Sequence, residues 1–208
     1  MTILLLVRHG TTDLTGKRLY GRSQDVHLSE EGHRQADHVG ERLAPLRPSA
    51  LYSSPIERCV ETAERIAAIC RLEAQELDGL AEIDYGRWTG RSFASLARTR
   101  LWRRVHRVPS SVRFPGGETL TEAQRRIVDA LETLVERHPR GVVGVVSHGD
   151  PIAMALAHYA GLHLDLFQRL QVSPGSISAV AVEDGLPRIL LVNDAGTLEH
   201  LRPPRGRR

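Results

Sequence analysis

Lysine is almost missing from this chain. Of its 28 basic residues, 27 are arginine and Lys17 is the only lysine. The formal net charge is +3, and such an excess can serve a phosphorylated or nucleic-acid partner or simply reflect a preference for arginine codons. Arginine grips phosphate bidentately whereas lysine acts as a point charge, so individual arginine positions matter more than their total. Long hydrophobic runs are missing too. The first apolar run, residues 3–7, has five members and none in the chain exceeds six, far short of the roughly 20 that a membrane helix needs. No basic stretch precedes it, as a secretory signal would require. The expectation is a cytoplasmic protein with no membrane association.

Cysteine is equally scarce. Cys59 and Cys70 are the only two, eleven positions apart in what reads as one helix. At about 1.5 Å of rise per residue they would lie roughly 16 Å apart, beyond the ~7 Å limit for disulfide-bonded Cα atoms. Both are read as free thiols that pack rather than react. No Cys/His spacing reads as a zinc site, and neither a Walker A pattern nor GxGxxG occurs. No metal or cofactor is expected.

What remains is ordinary for a globular protein: 208 residues, 41% hydrophobic and 25% charged. That excludes disorder and suits one α/β domain with a sizeable core. Residues 3–8 read as a fully buried strand. Ser29 is a natural N-cap for a helix with Ala36, Val39, Gly40 and Leu43 on one face, ended by Pro45 and Pro48. Residues 50–53 form a short strand, and Pro55 starts a second helix at the favoured first-turn position. Residues 121–137 form a strong helix, 142–146 a buried strand, and Pro151 opens the next helix. Residues 176–182 and 188–192 are the last two strands. Strands alternating with helices predict a three-layer α/β/α sandwich with a mostly parallel sheet. Residues 86–118, rich in Gly and Pro with a basic helical stretch near 92–107, read as an excursion over its C-terminal edge. Residues 1–201 form the domain, and 202–208 a disordered basic tail.

Four segments carry the chemistry. Val7-Arg8-His9-Gly10 and Val146-Ser147-His148-Gly149 share one form: buried strand, histidine, glycine. Ligand sites of open α/β sheets lie at the carboxyl ends of strands, although either histidine alone could merely terminate a strand. Arg8 at the end of an apolar strand is costly without an anionic partner. In Tyr52-Ser-Ser-Pro-Ile-Glu-Arg58, Arg58 lies one turn into a helix and can reach an anion at its N-terminus; it could equally be a surface arginine paired with Glu57 or Glu61. Glu82 and Asp84, two apart, would share a face of an extended segment. Either could donate a proton, or be a solvated loop carboxylate.

Taken in order, RHG, SSPxxR, Glu82 before Tyr85-Gly86-Arg87-Trp88-Thr-Gly90, and the late SHG resemble the histidine phosphatase superfamily, phosphoglycerate-mutase-like branch one. The resemblance runs from residue 3 to about residue 193. It implies a metal-independent phosphatase acting on a small phosphorylated metabolite through a phosphohistidine. His9 would be the nucleophile, Arg8, Arg58 and His148 the phosphoryl clamp, and Glu82 the proton donor. Substrate contacts would come from Arg8, Thr15, Gly21, Arg58, Tyr85 and His148. Thr15 stands where the family often has Asn, and Thr11 replaces a common acidic residue. A phosphoglycerate-type mutase is the alternative, and a non-catalytic phosphoryl-binding domain a third reading. Arg98, Arg100, Arg103, Arg104, Arg107 and Arg113 either recognise a second anionic group or form a solvated face. Nucleic-acid binding through the tail is the weakest reading, and self-association into a homodimer stays open.

Overall fold

The computed structural model describes residues 1–197. In chain order the strands are β1 (Thr2–Arg8), β2 (Arg18–Leu19), β3 (Ala50–Ser53), β4 (Ala74–Glu76), β5 (Arg91–Ser92), β6 (Gly141–Ser147), β7 (Ile177–Glu183) and β8 (Leu186–Asp194). The helices are α1 (Glu30–Leu43), α2 (Glu57–Cys70), α3 (Phe93–Leu96), α4 (Arg100–Arg107), α5 (Leu120–Arg137) and α6 (Gly149–Tyr159). Six strands form one sheet in the order β4-β3-β6-β1-β7-β8. The first four are mutually parallel; β7 runs antiparallel to β1 and to β8.

Alternation along β1 explains its unbroken apolar run. Leu4 and Leu6 enter one core with α5 and α6 residues such as Ile127, Leu131, Met154 and Leu156. Leu5 and Val7 enter a second core with Val39, Leu43, Ala63 and Ile66 of α1 and α2. A strand covered on both faces needs apolar residues at every position. Each buried leucine contributes on the order of 1.5–3 kcal/mol relative to exposure. The expected three layers are therefore present.

Several boundaries differ from the sequence reading, each for a local reason. Ser54 Oγ accepts the Ile56 N–H at 3.3 Å, a side-chain turn that holds residues 54–56 out of the helix. Hence α2 begins at Glu57, two residues after Pro55. Thr119 and Glu122 form a reciprocal capping box, which starts α5 one residue before the expected Thr121. Pro151 is the third residue of α6 rather than its opening residue; first-turn N–H groups have no intrahelical acceptor, so its missing donor costs nothing there. The strand β4 was not anticipated: all three of its residues are exposed and no apolar pattern announces it. The basic stretch is broken into α3 and α4 by Thr99, which caps α4. The tail at 202–208 lies outside the described residues.

One crossing positions the first motif. A Cβ on Gly10 would lie 2.4 Å from the Gly32 carbonyl oxygen, and one on Gly32 would lie 2.1 Å from the Thr11 oxygen. Only glycine at both positions lets the loop after β1 pass so close to α1. Ser29 ties the same crossing from the other side, its hydroxyl donating to Thr11 O at 3.0 Å and accepting from Gly32 N at 3.2 Å.

Candidate active site

Strand order and register assemble the site. Arg8 of β1 pairs with Ser147 of β6, and Ser53 of β3 pairs with Val146 of β6. The three carboxyl ends therefore lie side by side, each followed at once by His9, His148 or Ser54. All three are buried.

His9 Nδ1 lies 2.7 Å from the Gly10 carbonyl oxygen, so that nitrogen carries the proton and Nε2 keeps its lone pair. Arg58 Nε donates to that Nε2 at 3.2 Å. Burial, then the charges of Arg58 and Arg8, hold the His9 pKa well below its ordinary value, leaving the ring neutral. His148 is also held neutral, by burial first and Arg58 second. Arg58 Nη2 donates to His148 Nδ1 at 3.0 Å and to Gly21 O at 2.7 Å. The His148 proton is thereby assigned to Nε2, 2.8 Å from Ser54 Oγ.

Arg58 is completely buried, its guanidinium 4.7 Å above the Tyr20 ring. It is not the surface arginine that pairing with Glu57 or Glu61 would make it. Among the described residues, its Nη1 has no hydrogen-bond partner, and neither has the buried Nε of Arg8; Arg8 Nη1 donates to Val172 O at 2.6 Å. Buried charged donors without partners are costly, and two beside one histidine fit an anion.

Glu82 and Asp84 do not share a face. Glu82 lines the cavity beside His148, with Oε2 4.0 Å from His148 Nδ1. Burial, then the neighbouring Asp150 charge, raises its pKa to about 7. Asp84 instead caps a turn, accepting from Gly86 N at 2.9 Å. The Glu82 backbone is gripped from outside: Arg22 Nε donates to its carbonyl at 2.7 Å, and Arg126 spans the carbonyls of Gly79 and Ala81 at 3.0 and 2.8 Å. Both arginines converge on Glu118, which also accepts the Asp84 N–H.

The cavity holds about 360 Å³. Arg8, Gly21, Glu82 and Tyr85 line it. Thr15 does not line it; its hydroxyl is engaged by the Thr12 N–H at 3.0 Å and the Thr12 hydroxyl at 3.1 Å, so it shapes the loop. The six arginines of 98–113 do not line it either. All six are exposed, because the apolar face of α4 turns inward and its charged face outward; Arg113 pairs with Glu122 and Arg104 with Ser111. The excursion roofs the cavity with Trp88, Trp102 and Phe114, and the β2–β5 ladder ties it to the loop after β1.

Asp150 escaped the sequence reading. It accepts the Tyr85 hydroxyl at 2.9 Å and faces the cavity. The signal was present, since it directly follows the second His-Gly pair. Cys59, packed against Ser147 O and His148, is inert: burial pushes its thiol up to about 12. Among the described residues, no three His, Cys, Asp or Glu side chains could together hold a metal, and no helix is long and apolar enough to cross a membrane.

A sequence model of the histidine phosphatase superfamily (branch 1) matches residues 4–195. Phosphoserine phosphatase 1 of Hydrogenobacter thermophilus is 32% identical over 195 residues, 93% of this chain and 92% of that protein. A protein named probable phosphoglycerate mutase GpmB, from Salmonella paratyphi C, is 31% identical over 208 residues, 98% of this chain and 97% of its own length. The solved structure of mycobacterial glucosyl-3-phosphoglycerate phosphatase Rv2419c superposes with a TM-score of 0.83 at 26% identity, covering 92% of this chain and 98% of its own.

Proposed function

We infer that this chain, which belongs to branch 1 of the histidine phosphatase superfamily, is a metal-independent phosphatase that cleaves a small phosphomonoester through a phosphohistidine. The observation that carries the reading is the His9 Nε2 lone pair held beside two arginines, each with a buried donor that has no partner among the described residues.

The substrate phosphoryl group takes up those donors. Arg58 Nε must then pass its hydrogen bond from His9 to a phosphoryl oxygen, which frees the lone pair for in-line attack on phosphorus. Because Nδ1 stays bonded to the Gly10 carbonyl, attack needs no separate base. Arg8 and Arg58 offset the charge on the equatorial oxygens, and the neutral His148 orients Arg58 by accepting from it at Nδ1. Glu82, with a pKa near 7, is protonated in a large fraction of molecules at neutral pH and gives its proton to the leaving alkoxide. The resulting carboxylate takes a proton from water as water attacks the phosphohistidine, and the original protonation states return. Arginine charge stands where other phosphoryl-transfer enzymes use a metal. We place the enzyme in the cytoplasm, supported by two cysteines that remain free thiols.

The test is to quench turnover in base, where phosphohistidine survives, and look for an added phosphoryl group on the peptide containing His9. Its absence under conditions of rapid phosphate release would refute the covalent step. The likeness to a probable phosphoglycerate mutase gives a second reading a footing. Mixing enzyme with 3-phosphoglycerate and a trace of 2,3-bisphosphoglycerate separates the two. Isomerisation outrunning phosphate release by tenfold, about 1.4 kcal/mol in relative barrier, would replace the phosphatase by a mutase.

A further inference from the structure

Aromatic residues are few in this chain: three Phe, two Trp and four Tyr. All three phenylalanines, both tryptophans, Tyr20 and Tyr85 line the one cavity that contains Glu82 and Arg8. They form a connected wall. Tyr85 meets Phe114 at 4.9 Å between centroids, Phe114 meets Trp88 at 5.5 Å, Trp88 meets Trp102 at 6.1 Å, and Trp102 meets Phe93 at 5.9 Å. Trp102 and Phe93 are only partly buried, and both line the cavity. Val105 and Leu120 add further apolar lining.

The charges are arranged just as unevenly. The two cavity carboxylates, Glu82 and Asp150, lie close enough for Asp150 to raise the Glu82 pKa. The other basic side chains of the lining, Arg18 and His106, are exposed and held by neighbouring groups. Arg18 donates to Gly90 O at 3.0 Å, and His106 is held against Trp102 at 4.6 Å between centroids. The arginines of 98–113 that could have gripped a second anion point to solvent. A body carrying a carboxylate or second phosphate next to the ester would meet Asp150 and aromatic rings and, among the described residues, no further arginine but the exposed Arg18 at the rim.

Building on the phosphatase reading above, we propose that the alcohol portion of the substrate is an apolar, ring-sized group without a second negative charge, seated on the wall formed by Trp88, Phe93, Trp102 and Phe114. A cavity of about 360 Å³ is at the small end of small-molecule sites, which suits one ring system and not a polymer end. Stacked and edge-on aromatic contacts give such a ring a defined seat.

The test compares esters whose leaving groups have similar basicity: 2-phenylethyl phosphate, ethyl phosphate and 3-phosphoglycerate, with 4-nitrophenyl phosphate as the check on phosphatase activity. The expected kcat/KM for 2-phenylethyl phosphate exceeds those for ethyl phosphate and 3-phosphoglycerate by tenfold or more, and Trp102→Ala collapses that preference. Phe93→Ala reads the same wall should the Trp102 variant fail to fold. Asp150→Asn is expected to raise 3-phosphoglycerate turnover relative to ethyl phosphate. A preference below tenfold, or one that survives both wall variants, overturns the proposal while hydrolysis of 4-nitrophenyl phosphate leaves the phosphatase standing. Phosphate release from none of the four esters would sink both.

Discussion

His9 and His148 meet edge to face, with ring centroids 5.3 Å apart and planes inclined at 65°. They do so because the residues before them, Arg8 and Ser147, are register partners in adjacent parallel strands. His9 keeps its Nε2 lone pair and His148 its Nδ1 lone pair turned towards Arg58, which touches both.

Replacing His9 by Ala is expected to abolish phosphate release from 4-nitrophenyl phosphate. Removal of a nucleophile costs several orders of magnitude, so residual turnover above about a hundredth of the parent rate would rule His9 out of that role.

Glu82→Gln should slow alkyl phosphates far more than 4-nitrophenyl phosphate, whose leaving oxygen needs little protonation. The ratio of the two losses is the readout. Equal losses would point to Glu82 holding the site together rather than moving a proton.

The same carboxyl should leave a mark on stability. Its folded pKa is raised from the ordinary 4.5 to about 7, so the folded protein binds the proton more tightly than the unfolded chain. That contribution is fully present below pH 4.5 and is lost as pH rises through about 7. Relative to the parent, Glu82→Gln should therefore gain up to about 3 kcal/mol between pH 4 and pH 8. His9 and His148, whose pKa values are depressed, contribute the opposite dependence to both proteins and cancel in the difference. Denaturant unfolding at the two pH values decides it; a variant that loses ground at pH 8 contradicts the assignment.

Gly10→Ala should destabilise the fold and impair the site together. The new Cβ would lie 2.4 Å from a backbone oxygen of Gly32, which no side-chain rotation relieves. Overpacking of this kind costs roughly 1–3 kcal/mol or more, and the loop carrying His9 must move to accept it. A Tm equal to that of the parent would show that the crossing is looser than described.

Chelators should leave turnover of 4-nitrophenyl phosphate unchanged, since Arg8 and Arg58 supply the charge of the proposed clamp. Activity lost in EDTA and restored by a divalent ion would end the metal-free mechanism.

Local signals in the sequence were enough for the strands and helices that bury one face or two. The apolar run of β1, the Ser29 cap and the α5 periodicity each report burial or capping within a few residues, and each is where it was expected. The exposed β4 was illegible because a strand that buries nothing needs no pattern. Arg58 was ambiguous for a related reason: helical spacing places its Cα but does not reveal that β6 and the loop around Gly21 close over it. Glu82 and Asp84 look alike in sequence, and only the packing of Arg22, Arg126 and Glu118 around that segment sends one carboxylate into the cavity and the other to a turn. The sequence by itself determined which residues could perform the chemistry, because histidine, arginine and glutamate at strand and helix ends are local facts. Tertiary structure decided that they lie together and which side chains surround them. The insertion of β6 between β1 and β3 brings His148 beside His9, and the folding of the excursion gathers scattered aromatic residues into one wall. Both depend on contacts between residues far apart along the chain, which no local periodicity records.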